Sequence, residues 1–137
     1  MRHDPELVAE TRAWLVKAHR DLASGNVVLA AEASLTGDAT FHAQQAAEKA
    51  MKGFLTWHGQ VFRKTHNLIE LGEACARLDP SLELLLRQAA GLTDYSWKFR
   101  YPGEPEEPSD REARDALETA RAVYEAVLAR LPAEVRP

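Results

Sequence analysis

Apolar residues recur along most of this chain at steps of three and four, which is the spacing of one face of an α-helix. Residues that favour turns or end helices divide the pattern into five segments. The first segment covers residues 5–33, and its stripe consists of Leu15, Ala18, Leu22, Gly25 and Leu29. A glycine inside a helix costs about 1 kcal/mol relative to alanine. Gly25 therefore predicts either a kink or a close contact with another helix.

The second segment is predicted to form a helix over residues 39–58. A connector at residues 34–38 precedes it, with Asp38 as a candidate N-cap, and Gly59 is a typical helix stop. Small side chains line this helix and would let neighbouring backbones approach closely: Ala43, Ala46, Ala47 and Ala50.

The remaining segments predict three more helices. Thr65 is the candidate N-cap of the third, which ends at Asp79 before a proline, and Ser81 is the candidate N-cap of the fourth. Residues 102–108 hold three prolines and three glutamates and predict a loop. Residues 109–112 have the spacing of a capping box and open a fifth helix that runs to Leu131. The pattern thus predicts an all-α fold of four main helices and a shorter one.

Length and composition define the class of protein. A chain of 137 residues with 45% hydrophobic content corresponds to a single domain, here residues 1–137 with a core at about 5–131. The formal charge of −4 argues against a protein that coats duplex DNA. No apolar run is long enough for a membrane span, and the start has no secretory signal pattern. We therefore expect a soluble cytoplasmic protein.

The single cysteine, Cys75, excludes an intramolecular disulfide and fits a reducing compartment. It falls on the apolar stripe of the third helix, which favours a small core residue over a nucleophile. The five histidines lack the spacing of metal ligands, and no glycine-rich phosphate loop is present. The sequence therefore predicts neither a metal site nor a cofactor.

The second helix carries a polar stripe of Gln44, Glu48 and Lys52 at steps of four, beside Gln45 and Lys49. One interpretation is a solvated face with a Glu48–Lys52 pair worth about 0.2–0.5 kcal/mol. The alternative is that some of these polar groups lie at an interface. The alanine and aromatic positions of the helix leave few directions open to solvent, which favours that interpretation.

A cationic run, Arg63 and Lys64 followed by Thr65 and His66, enters the N-terminus of the predicted third helix. Free backbone N–H groups and the helix dipole favour an anion there, and two cations with an imidazole would suit a phosphate. The alternative is a capped, exposed turn with ordinary charges.

The end of the fourth segment mixes rings with cations. An aromatic ring and an arginine such as Arg100 can together stack a base and hold a phosphate. The alternative is that the rings belong to the core or to a subunit contact: Tyr95, Trp97, Phe99 and Tyr101.

Three motifs, in order, resemble the HEPN family, the nucleotide-binding domain shared by higher eukaryotes and prokaryotes. They are FHAQQAAEKAMK at residues 41–52, KTHNL at 64–68 and RYP at 100–102, within a match from about Trp14 to Leu131. The resemblance implies an up-and-down helical bundle that forms a homodimer with a charged cleft between subunits. It also implies a small prokaryotic protein, often encoded beside a minimal nucleotidyltransferase in a toxin–antitoxin-type module.

The resemblance leads to a first expectation, a nucleotide-binding regulatory subunit. Phosphate contacts would come from Lys52, Lys64, His66 and Arg100. Gln44 and Gln45, beside Glu48, would form hydrogen bonds with polar groups of the ligand. A base would stack on Tyr101.

The alternative is a metal-independent RNase toxin. Members with this activity use an arginine followed four to six residues later by a histidine, near the last long helices. No histidine follows His66 here, so Arg100 lacks that partner, and Arg12 and His19 lie on the first helix instead. RNase activity would then need a divergent site, with His66 as general acid–base and Arg100 stabilising the developing charge. A purely structural dimer is the third possibility.

Overall fold

The computed structural model describes residues 3–33, 35–103 and 106–137. These residues form α-helices joined by turns and short 3₁₀ segments, and no strand occurs among them. The α-helices are α1 (Pro5–Ala30), α2 (Thr36–Trp57), α3 (Leu68–Leu78), α4 (Glu83–Ala89) and α5 (Asp110–Ala129). The 3₁₀ segments are Pro80–Leu82, Ala90–Ser96 and Ala133–Val135. The predicted all-α, up-and-down bundle of four main helices and a shorter one is confirmed.

Helix α2 is the centre of the bundle. It packs against α1, α3, α5 and the 3₁₀ segment Ala90–Ser96. The four alanines that the sequence pattern singled out in this helix are completely buried, which lets the surrounding backbones come close: Ala43, Ala46, Ala47 and Ala50. Every α-helix contributes larger apolar side chains to the same core, among them Leu15, Leu55, Leu71, Leu86 and Val123. None of the described helices has the length and apolar character needed to cross a membrane.

Gly25 marks the place where α1 meets α2 and α5. A Cβ atom at this position would lie 2.5 Å from Cδ2 of Leu117 and 3.4 Å from Cβ of His42. Helix α1 continues through Gly25 without interruption. The structure therefore confirms the predicted close helix contact at Gly25 and shows no kink that ends the helix there.

The start of α2 differs from the prediction. Helix α1 already ends at Ala30, and α2 begins at Thr36, so Asp38 lies in the first helical turn and its prediction as the N-cap was wrong. The N-cap position is Leu35, which offers no side-chain acceptor. A carboxylate in the first turn still interacts favourably with the helix dipole. Ser34, part of the predicted connector, lies outside the described residues.

Two other caps were assigned to the wrong residue. Asn67, not Thr65, caps α3, and its Oδ1 accepts from the backbone N–H of Ile69 at 2.9 Å. Asp79, not Ser81, caps the segment Pro80–Leu82, and its Oδ1 accepts from the backbone N–H of Ser81 at 3.0 Å. The reason is the same in both places. A short Asn or Asp side chain reaches the N–H two residues ahead, and so outcompetes a nearby hydroxyl.

Other boundary signals were confirmed. Gly59 follows α2 with a positive φ of 68°, a conformation that favours glycine. Oγ of Ser109 accepts from the backbone N–H of Glu112 at 3.1 Å and caps α5, which ends at Ala129 and not at Leu131. In the predicted 102–108 loop, residues 104 and 105 lie outside the described residues, and the others are non-helical.

Gly25→Ala is expected to destabilise the protein, by about 1–3 kcal/mol. The new methyl group would overlap the Leu117 side chain, which outweighs the gain of about 1 kcal/mol in helix propensity. Urea unfolding followed by circular dichroism measures the change. Gly91→Ala is the control because its added Cβ would lie in open space, with no atom within 4 Å beyond its own neighbouring backbone. A Gly25→Ala protein that is as stable as the wild type would contradict the close contact.

Candidate functional site

The candidate site lies along one face of α2, where Phe41, Gln44, Glu48 and Lys52 follow one another at steps of three and four. The interpretation of this stripe as a solvated face was wrong. Gln44 is 0%, Glu48 3% and Lys52 7% exposed. The stripe is buried because α1 and the linker between α2 and α3 close over it.

Glu48 is the centre of this buried stripe. Its Oε2 accepts from Nζ of Lys52 at 3.0 Å, and its Oε1 accepts from Nε2 of Gln44 at 3.2 Å. The same Oε1 lies 2.8 Å from Nδ1 of His66. A carboxylate removed from water needs such partners, because an unpaired buried charge is strongly unfavourable. We call Gln44, Gln45, Glu48, Lys52 and His66 the Glu48 network.

The two glutamines extend the Glu48 network to the backbone. Nε2 of Gln44 also donates to the backbone carbonyl of His66 at 3.0 Å, and Nε2 of Gln45 donates to Oε1 of Gln44 at 2.7 Å. The α2–α3 linker is thereby fixed to α2 through both the main chain and the ring of His66. The position of that ring therefore depends on buried groups.

Lys52 has a pocket of its own. Its ammonium nitrogen lies 5.6 Å from the ring centroid of Trp14 on α1 and 5.8 Å from that of Phe62 in the linker. Both distances are within the range of cation–π attraction. With Glu48 and two rings around it, the ammonium group is fully engaged inside the protein. A phosphate would have to displace these partners to reach it.

The cationic run in the linker is divided between paired and unpaired charges. Arg63 forms an ion pair with Glu70, with N–O distances of 2.8 to 3.0 Å. Lys64 is exposed and has no hydrogen bond or ion pair within the described chain. The side chain of His66 is 67% exposed although its Nδ1 contacts the buried carboxylate of Glu48. Arg63 is also exposed but its charge is paired, so Lys64 and the outer edge of His66 are the groups of this segment that are open to a ligand.

Arg100 lies at the other end of the stripe, with Cζ 3.7 Å from the ring centroid of Phe41. Phe99, just before it, has a φ of 66°, a left-handed conformation that costs about 1–3 kcal/mol for a non-glycine residue. Tyr101, just after it, is 64% exposed. This unusual backbone turn directs Arg100 back onto α2.

The structure therefore places the predicted site residues on one face of α2 but in two groups. The Glu48 network and Lys64 form one group, and Arg100 with Tyr101 forms the other. Arg100 contacts Phe41, and His66 contacts Glu48. These two positions on α2 are seven residues apart, or about 10 Å along the helix. A ligand that contacts both groups in one subunit must have about that length.

A second charged cluster was missed by the sequence analysis. Oδ1 of Asp21 on α1 lies 2.9 Å from Nδ1 of His42, and its Oδ2 accepts from Nζ of Lys49 at 2.5 Å. Burial alone would raise the pKa of Asp21, but the hydrogen bonds from His42 and Lys49 outweigh it and hold that pKa below its ordinary value. The cluster joins α1 to α2. The local sequence does not indicate this cluster, because Asp21 lies 21 residues from His42 and 28 residues from Lys49.

Cys75 is a core residue, as predicted, with 1% of its surface exposed. Its thiol donates to the backbone carbonyl of Met51, and burial raises the pKa of the Cys75 thiol to about 12. A thiol that stays protonated at neutral pH is a poor nucleophile.

A groove of about 460 Å³ lies between α3 and α4, away from this face. Its lining includes Ile69, Gly72, Ala76, Leu86 and Ala90, and none of the predicted site residues. The groove and the Glu48 network are thus separate features of the surface.

The family model described as HEPN domain matches residues 11–131 of the chain. No curated protein and no solved structure matches it. The matched range contains the whole candidate site.

Lys52→Met is expected to lower the free energy of unfolding by about 3–5 kcal/mol, because it leaves one oxygen of a buried carboxylate without a donor. The methionine keeps most of the side-chain volume between Trp14 and Phe62. Urea unfolding measures the loss, and Glu48→Gln in the Lys52→Met background should recover part of it.

The matched control is the ion pair of Glu83 and Arg87, which has the same spacing and order but an exposed location. Arg87→Met should change the free energy of unfolding by less than about 1 kcal/mol. Equal effects of the two substitutions would show that burial of the Glu48–Lys52 pair has no energetic importance.

Proposed function

This chain belongs to the HEPN domain family, and we propose that it is a nucleotide-binding regulatory subunit, the partner of a minimal nucleotidyltransferase in a toxin–antitoxin-type module. The observation that carries the proposal is the Glu48 network. It places three buried polar side chains beneath the exposed ring of His66. A buried polar network whose hydrogen bonds are satisfied is rigid, so this one holds the ring of His66 in a fixed position at the surface.

The two groups of the site suit the two ends of a nucleotide. Lys64 is an unshielded donor for phosphate oxygens, and the outer edge of His66 is a second one when its ring carries both protons. Arg100, stacked on Phe41, and the exposed ring of Tyr101 form a surface for a base, and such stacking contributes about 1–3 kcal/mol per base. A nucleotide along α2 would therefore lie with its phosphates toward His66 and its base toward Arg100.

The proposal includes a homodimer in the cytoplasm of a prokaryotic cell. Apolar side chains near the N-terminal end of α2 remain exposed in the single chain: Leu35 and Trp97. A second subunit would cover them and turn the face of α2 into one wall of a shared cleft. Exposed apolar groups of this kind are typical of interaction surfaces.

One observation favours RNase activity as a second candidate. Nδ1 of His66 is held by Glu48, so that Nε2 points away from the protein, as a general acid–base requires. Arg100 would stabilise the charge of the transition state. Because the two residues are about 10 Å apart along α2, an active site of this kind would need His66 and Arg100 from different subunits.

Native mass spectrometry of the protein with ATP, GTP or a short RNA tests these functions. We expect a dimer that gains a discrete nucleotide mass. Lys64→Ala should weaken binding about tenfold through the loss of one hydrogen bond to a charged group, and Arg100→Ala should weaken it about tenfold through the loss of stacking on the base. Arg63→Ala is the control for Lys64 because its charge is already paired with Glu70.

The other outcomes separate the alternatives. A dimer that ignores nucleotides but shortens the RNA without added metal, and loses that activity in His66→Ala, would replace the binding function by the RNase. A monomer that binds no nucleotide and cleaves no RNA would contradict both.

A further inference from the structure

Two histidines have Nδ1 on a largely buried carboxylate, but only one of them presents most of its ring to solvent. Nδ1 of His42 lies 2.9 Å from Asp21, and the side chain of His42 is 26% exposed. Nδ1 of His66 lies 2.8 Å from Glu48, and its side chain is 67% exposed above a carboxylate that is 4% exposed. His66 thus combines a buried anchor with an accessible ring.

The third pair of this kind among the described residues, His3 with Glu134, has no buried member. Both of its side chains are substantially exposed, so nothing holds the carboxylate in place. A histidine whose orientation is fixed by a buried partner is a feature of reactive imidazoles. Among the described histidines, only His66 combines such a partner with a ring that is mostly exposed.

The Glu48 network determines where the ring proton of His66 lies. Both oxygens of Glu48 already accept from Lys52 and Gln44, so the carboxylate acts as an acceptor toward the ring. Nδ1 must then carry the proton, and in the neutral ring the lone pair is on Nε2. Gln44 also fixes the backbone carbonyl of His66, so the lone pair is directed outward on a rigid support.

We propose that Nε2 of His66 is a nucleophile that accepts a phosphoryl group, and that Glu48 is its positioning residue. Lys64, two residues before His66 in the linker, is an exposed and unpaired cation that can attract the oxygens of the incoming group. This goes beyond reversible nucleotide binding, because it assigns a covalent modification to the same surface and requires no bound nucleotide.

The chemistry can be followed with phosphoramidate as the donor. The lone pair of Nε2 attacks phosphorus, the Nε2–P bond forms, and the P–N bond of the donor breaks. Ammonia leaves with the electron pair of that bond and keeps the protons it carried. The ring becomes a phosphorylated imidazolium that still holds its Nδ1 proton, and the charge of Glu48 stabilises it.

The test is intact-mass and peptide mass spectrometry of the full chain after incubation with phosphoramidate. We expect one acid-labile phosphoryl group on His66, absent in His66→Ala. Glu48→Gln should slow its formation roughly 10- to 100-fold, the usual effect of removing the partner that orients a histidine. His19→Ala and His58→Ala are the controls, since both side chains are exposed and neither contacts a carboxylate in the described chain. They should behave like the wild type.

A second measurement requires no variant. Long-range ¹H–¹⁵N NMR of the wild-type histidine rings reports the tautomer, and His66 should carry its proton on Nδ1. A proton on Nε2, modification at another histidine, or an unmodified wild type would each overturn the proposal. These results are independent of nucleotide binding, so a loss of the proposed function alone would leave the phosphoryl acceptor standing.

Discussion

A carboxylate buried inside a helical bundle must find donors for both of its oxygens, and in this protein that carboxylate is Glu48. Lys52, Gln44 and His66 supply the donors from one helix and one linker. The ammonium group of Lys52 has the same need, and it is met by Glu48 together with two aromatic faces. Removing any one of these donors would leave the buried carboxylate with one partner fewer, and removing Glu48 would leave the buried ammonium group without its counter-charge. The same bonds from Gln44 and Glu48 to His66 hold the linker that carries Lys64 and His66 in place.

The packing around α2 makes this arrangement possible. One side of the helix is lined with alanines, so that neighbouring helices approach closely and exclude water from the polar stripe beside them. Gly25 serves the same purpose where α1 crosses α2 and α5. At the far end of the stripe the left-handed backbone of Phe99 brings Arg100 onto Phe41. Close helix packing thus buries the polar stripe, and the buried stripe supports the exposed charged face.

The sequence predicts the helices and the family of this protein better than it predicts the state of each side chain. Helix stripes, the stop at Gly59 and the cap at Ser109 depend on local spacing, and the structure confirms them. The burial of Gln44, Glu48 and Lys52 does not follow from spacing, because a polar stripe looks the same whether solvent or another helix covers it. The contact of Asp21 with His42 depends on residues far apart in sequence. Of the candidate site, the residue types were predictable, but their division into buried supports and exposed groups was not.

A crystal structure of the protein with a bound nucleotide would test the central claim most directly, namely that Glu48 and Lys52 support a surface at which Lys64 and His66 meet the ligand. We predict a phosphate within hydrogen-bonding distance of Nζ of Lys64 and Nε2 of His66, with the Glu48–Lys52 ion pair unchanged beneath it. A phosphate bound to Lys52 with Glu48 released, or a nucleotide seated in the groove between α3 and α4, would contradict the account.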